Sequence, residues 1–171
     1  GGSSFKQVIR MNFNENSKNT ESVIPGNLSK DEFDRLDRNE KYLLILLAED
    51  SVCYKKCIDR VNQNLLQLDA NINLLDKLSG HIESGKKAGS EYLLSVSELQ
   101  DAEVLSGILN KFIMPPDTLK ACKELMDKLH KGKISAKRDE ICKKLNDTTL
   151  SDAERIKLMK ELNNIILGKK E

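Results

Sequence analysis

The residues of this chain best suited to metal or redox chemistry are four cysteines, Cys53, Cys57, Cys122 and Cys142, and two histidines, His81 and His130. Cys53 and Cys57 stand four apart, a spacing that puts both thiols on one face of a helix. Two thiols in that register could bind a metal. No second cysteine pair follows at ligand spacing, and no histidine stands near Cys53 or Cys57. Cys57, Cys122 and Cys142 fall on apolar stripes, where a thiol serves as a small apolar filler, and that is their expected role. Both histidines lie beside glycine-bearing loop or helix-end positions and are expected to be exposed and chemically idle. There is no glycine-rich phosphate loop, and the acidic residues are scattered as solvated helix faces require. No catalytic, cofactor-binding or metal-binding residue is expected, and the chain by itself reads as a non-enzyme.

The elements that position these residues should be helices. Of 171 residues, 39% are hydrophobic, 4% aromatic and 32% charged, with three prolines and no tryptophan. Such a composition, rich in Leu, Lys, Glu and Asn, favours an all-α chain. The net charge of +1 argues against a generally basic nucleic-acid binder. The charge is uneven: residues 1–116 carry 14 Lys and Arg against 17 Asp and Glu, and residues 117–171 carry 14 against 10. The mildly basic final third could help meet an acidic partner surface, and ordinary solvated lysines on exposed helix faces are a better reading of it than a nucleic-acid footprint. The longest apolar run, Tyr42 to Ala48, is too short to cross a bilayer, and no secretory leader or secreted disulfide pattern is visible. A cytoplasmic protein with reduced thiols is expected.

Residues 1–27 read as a tag remnant, Gly1 to Ser4, followed by a polar, asparagine-rich disordered linker. A helical bundle is expected over 28–115, a connecting helix over 116–133 and a terminal helical hairpin over 134–171. Ser29 and Glu32 form a capping box for the first helix, which runs on or breaks near Asp37. Tyr42 to Ala48 is apolar all round and should be central to the core. Asp50-Ser51 caps a second helix. Asn62 to Asn71 reads as a loop that tucks Leu65, Leu66 and Leu68 inward. Helices follow over Ile72 to Ile82, briefly at Tyr92 to Leu99, and over Val104 to Ile113. Pro115-Pro116 ends the last of these, and Pro116 suits the first position of the next. That helix carries Leu119, Cys122, Leu125, Met126 and Leu129, with a break or bend possible at Gly132. Ser151 and Glu154 form a second capping box, and Gly168 stops the last helix. Its apolar stripe, Ile156, Met159, Leu162 and Ile166 widened by Leu158 and Ile165, exceeds what one partner helix would cover.

The segment Leu150-Ser151-Asp152-Ala153-Glu154-Arg155-Ile156-Lys157-Leu158, with Glu161-Leu162-Asn163 and the basic tip Lys169-Lys170, resembles the closing helix of the C-terminal domain of bacterial DNA primase (DnaG-type). Arg38 to Leu47 is similar to the first bundle helix of that domain, and the order of parts over about 35–170 matches it. The stretch between Asn62 and Gly89 lies outside the resemblance. The resemblance implies a helicase-interaction domain that docks, mainly through its terminal hairpin, on the N-terminal domains of the DnaB-type hexameric replicative helicase. It implies that zinc and polymerase chemistry belong to upstream domains and that this domain needs no cofactor. It further implies a monomer in isolation, with little or no direct nucleic-acid binding and no membrane association. On this reading the contact surface is Ile141, Leu145, Ile156, Met159, Leu162, Asn163 and Ile166, with Arg155 and Lys160 at its rim. Three rivals remain: the N-terminal domain of the helicase itself, a metal- or redox-responsive helical domain using Cys53 and Cys57, and a helical adaptor whose basic final third binds DNA.

Overall fold

In the computed structural model, residues 28–168 are described; the linker expected over 1–27 and the Lys169-Lys170 tip lie outside them. Among the described residues the fold is all helical, with no strand. The helices are α1 (Lys30–Glu49), α2 (Ser51–Val61), α3 (Asp69–Glu83), α4 (Ser90–Val96), α5 (Leu99–Leu109), α6 (Thr118–Leu145) and α7 (Asp152–Ile166). The chain divides into two compact units, Gly1–Leu129 and His130–Glu171.

The first unit is built around α1. Its start is set by the expected capping box: the Ser29 hydroxyl accepts the Glu32 N–H and Glu32 accepts the Ser29 N–H. The helix continues through Asp37 without a break, because Asp37 forms an i, i+4 ion pair with Lys41 that supports the turn. Leu43 to Leu47 are all completely buried, which requires neighbours on every side. α2, α3, α4 and α5 supply them, each packing against α1. The stripe on α6 expected to face a core does so: Cys122, Leu125, Met126 and Leu129 belong to this cluster. Burying side chains of this size contributes roughly 1.5–3 kcal/mol each.

The connections follow from their residues. Asp50 closes α1 and caps α2, its carboxylate accepting the Val52 and Cys53 N–H groups at 3.0 Å. The loop expected over Asn62 to Asn71 is shorter. α3 begins at Asp69, so Asn71 is helical, while Leu65, Leu66 and Leu68 are buried as expected. α3 ends in a Schellman motif: Gly85, at φ +87°, donates to the Ile82 carbonyl and Lys86 donates to that of His81. The helix expected to reach Ile113 stops at Leu109, leaving Ile113 83% exposed rather than in the core. Pro116 is not the first residue of α6. Asp117 stands there as the cap, its carboxylate accepting the Lys120 N–H, and the helix begins at Thr118.

α6 runs as one helix through Gly132. In the second unit the Asn146–Leu150 turn leads to α7, whose start carries the second expected capping box, Ser151 with Glu154. Gly168, at φ +75°, ends α7 and donates to the Ile165 carbonyl.

Candidate functional sites

The turn between α6 and α7 is held by side chains on both flanks. Asp147 accepts the Thr149 N–H at 2.9 Å and the Thr149 hydroxyl at 2.7 Å, and these bonds hold its carboxyl below the usual range. From α7, Arg155 reaches back and donates to the Leu145 carbonyl at 2.8 Å and the Asp147 carbonyl at 3.0 Å. The first of these satisfies one of the carbonyls that every helix end leaves without a partner. Arg155, expected at the rim of a docking surface, is therefore half-buried and clasps the hairpin turn.

The other expected contact residues separate into two sets. Ile141 is buried, while Leu145 and Leu162 are half-buried. Ile156, Met159 and Ile166 are 54%, 56% and 63% exposed, and Lys160 and Asn163 are exposed among them. Among the apolar residues of α7, Leu158, Leu162 and Ile165, spaced four and three apart, are the more covered, and Ile165 is the buried one. The exposed positions form a second stripe, and Leu167 beside Ile166 is also exposed. Sequence periodicity showed both stripes as one broad apolar face. It could not divide them, because 3.6-residue geometry places both within the same half of the helix.

A second constellation lies in the first unit. Cys53 and Cys57, one turn apart on α2, meet Cys122 of α6, and the three sulfurs lie within 4.8 Å of one another. Cys53 Sγ is 2.7 Å from Cys122 Sγ and 4.0 Å from Cys57 Sγ. All three are buried, whereas Cys142, expected on an apolar stripe, is exposed. Burial pushes the Cys122 thiol up to about 11, and it pushes the Cys53 thiol up further with help from the neighbouring thiols. The spacing of Cys53 and Cys57 was visible in the sequence. The third thiol, 69 residues from Cys53, was not, since only the packing of α6 on α2 brings it there.

A third constellation carried no sequence signal. Glu40, Lys41 and Asn71 are completely buried. Lys41 Nζ donates to Asp37 at 2.5 Å, to Asp101 at 2.9 Å and to Asn71 at 2.9 Å. Glu40 accepts the Gln67 N–H at 2.7 Å, the Leu68 N–H at 3.3 Å and the Asn71 side-chain amide at 3.0 Å. Burial pushes the Glu40 carboxyl up, against the hydrogen bonds from Gln67, Asn71 and Leu68 that pull it down. Every polar atom here points at a protein partner, which suits a fastening between α1, α3 and α5 rather than a place for substrate.

His81 is half-buried rather than exposed. Its ring stacks on Tyr92 at 3.9 Å and lies 3.1 Å from the Lys87 carbonyl, so it packs α3 on α4. His130 is exposed, as expected. An open groove of about 730 Å³ on the first unit is lined by Arg38, Tyr42, Lys111 and Phe112, with the two rings edge to face at 5.8 Å. Among the described residues no helix is long and apolar enough to cross a membrane. Comparison of the chain with protein-family models, with curated proteins and with solved structures returns no match.

Proposed function

We propose that this chain is a docking domain of a bacterial replicative primase and seats on the N-terminal collar of a DnaB-type hexameric helicase. The observation that carries the reading is the outer stripe of α7. Ile156, Met159 and Ile166 are all more than half exposed on a helix with its own capping box, and Leu167 follows them. An apolar row of this kind interleaved with Lys160 and Asn163 has the anatomy of a contact surface, with an apolar centre and a polar rim. It lies on the segment whose Ser151, Glu154, Arg155 and Leu158 resemble the closing helix of the primase domain. The domain adds no chemistry and needs no cofactor. It acts in the cytoplasm as a monomeric tether that raises the concentration of the primase active site at the unwinding fork. Within the hairpin, Ile156, Met159, Asn163 and Ile166 make the contact, while Ile141, Leu145, Arg155 and Leu162 hold the helix pair that presents it.

Calorimetric titration against the helicase hexamer of the same organism tests this. Wild type should bind with several copies per hexamer. Met159→Asp and Ile166→Asp should each weaken binding by about 5- to 150-fold, the equivalent of roughly 1–3 kcal/mol for an interface anchor. Both substitutions fall at exposed positions, so the helical circular dichroism and unfolding midpoint should not change. Wild type that gives no heat at any temperature and does not co-sediment with the hexamer would end the proposal. Self-assembly of the chain into rings would instead favour a helicase N-terminal domain.

A further inference from the structure

We infer that Cys53 and Cys122 are an oxidative cross-linking site, able to join α2 to α6 through a disulfide, with Cys57 as a bystander thiol. The distances discriminate between the three things a thiol cluster can be. Non-bonded atoms of carbon size rest about 3.5–4.0 Å apart, and sulfur is larger. Cys57 keeps such a distance from Cys53, at 4.0 Å. Cys122 does not: at 2.7 Å its sulfur is inside non-bonded contact and about 0.7 Å from the roughly 2.05 Å of a sulfur–sulfur bond. The two sulfurs are already neighbours across α2 and α6, and the bond closes when the remaining gap is taken up.

A metal centre fits these residues less well. Zinc holds each thiolate at about 2.3 Å in a tetrahedron, which sets two ligand sulfurs roughly 3.8 Å apart. The 2.7 Å pair would have to spread by about 1.1 Å to serve as two ligands of one ion, against an approach of about 0.7 Å for the disulfide. Among the described residues no histidine or carboxylate joins the three thiols to complete a fourth position, and the Thr118 carbonyl lies 3.9 Å from Cys53 Sγ, far beyond a metal–ligand distance. Three thiolates around a divalent ion would also bury a net negative charge in an apolar core, whereas a disulfide is neutral.

The chemistry needs a small two-electron oxidant, and hydrogen peroxide is the class that a closed core admits on local opening. One cysteine, as its thiolate, attacks a peroxide oxygen, the O–O bond breaks, and hydroxide leaves and takes up the proton that the thiol lost. The sulfenic acid so formed is attacked at sulfur by the second thiol, and water leaves with the remaining proton. The two thiols lose two electrons and two protons, and the peroxide becomes two waters. Because burial holds these thiols protonated, oxidation should be slow compared with that of the exposed Cys142. Once formed, the bond closes a 69-residue separation and so restricts the unfolded chain. This inference is independent of the docking proposal, since all three thiols lie in the first unit.

The test is a peptide map of the full chain after mild peroxide treatment, alkylated without reduction. Trypsin cuts at Lys55 and Lys56, so Cys53 and Cys57 fall in different peptides, and Cys122 falls in a third. The expected product is the Cys53 peptide joined to the Cys122 peptide, two hydrogens lighter than the separate pair, with Cys57 alkylated. The oxidised protein should melt several degrees higher than the reduced one, and a reductant should reverse the shift. Cys57→Ser should leave the cross-link in place, and Cys122→Ser should abolish both the cross-link and the shift. The inference is overturned if Cys53 and Cys122 are recovered separately alkylated, or if the linkage runs to Cys57 or Cys142. It is equally overturned if the untreated protein takes up one equivalent of zinc and the metal protects all three thiols.

Discussion

At the residue scale the buried polar fastening of the first unit is sensitive to single substitutions. Glu40 accepts from Gln67, Leu68 and Asn71; these bonds favour its ionised form, while burial, the larger effect, favours the neutral one. Glu40→Gln keeps the shape but turns an amide N–H toward one of those donors. It is expected to lower stability by about 1–3 kcal/mol, the cost of a buried donor left without its acceptor, measured by urea unfolding at neutral pH. The pH dependence has a definite sign. The folded-state pKa of Glu40 lies above its ordinary 4.5, so the native state binds the proton more tightly than the unfolded chain does. Its contribution is fully present below the unfolded value and is lost as pH rises through the folded one. The stability gap between wild type and Glu40→Gln should therefore narrow as pH rises through that window, opposite to the trend of a carboxylate stabilised by pairing. Lys41 poses the complementary case, since it is buried against Asp37 and Asp101. Lys41→Met should cost about 3 kcal/mol, near the lower end for breaking a buried pair, because both aspartates keep some access to solvent.

At the scale of elements, the parts legible in the sequence were those governed by neighbours a few residues away. The capping boxes at Ser29 and Ser151, the Asp50 cap and the Gly168 stop are local chemistry, and each stands where its residues placed it. The all-apolar run of α1 was equally legible, because seven residues without a polar face permit only a central helix. What failed to show depended on partners outside the few-residue span of a helix pattern. Asn71 read as loop, although Lys41 and Glu40 from another helix satisfy its amide inside α3. Cys122 read as filler until α6 brought it to Cys53. Arg155 read as a rim charge, yet its partners are carbonyl groups, and backbone acceptors look alike at every position of a sequence. Two predictions belong here. Arg155→Ala removes both bonds to the turn and should weaken the α6–α7 hairpin by about 1–2 kcal/mol, seen as faster amide exchange in α7. Gly132 is exposed inside α6, and a Cβ there would meet nothing within 4 Å. Gly132→Ala should accordingly stabilise α6 by about 1 kcal/mol, read from its amide protection.

For the whole molecule, the distribution of buried side chains separates a stable unit from a marginal one. The hydrophobic core cluster draws on residues up to Leu129 and none beyond. The second unit has two buried apolar residues among its described positions, Ile141 and Ile165. Two such residues contribute only a few kcal/mol, which is comparable to the entropy of ordering a handful of backbone positions. α7 is thus expected to open far more often than α1, and its amides should exchange orders of magnitude faster in the free chain. A marginal element that gains its missing apolar cover from a partner is ordered by binding. On the docking proposal, addition of the helicase hexamer should therefore slow exchange across Asp152 to Ile166 while leaving α1 unchanged, and the titration should show a negative heat-capacity change from burial of the Ile156, Met159 and Ile166 stripe. A form of the chain ending at Thr149 should keep the unfolding midpoint of the first unit and lose the binding. Should that truncation instead lower the midpoint, α7 would be part of the cover of the main core, and its apolar stripe would be structural rather than a surface held ready for a partner.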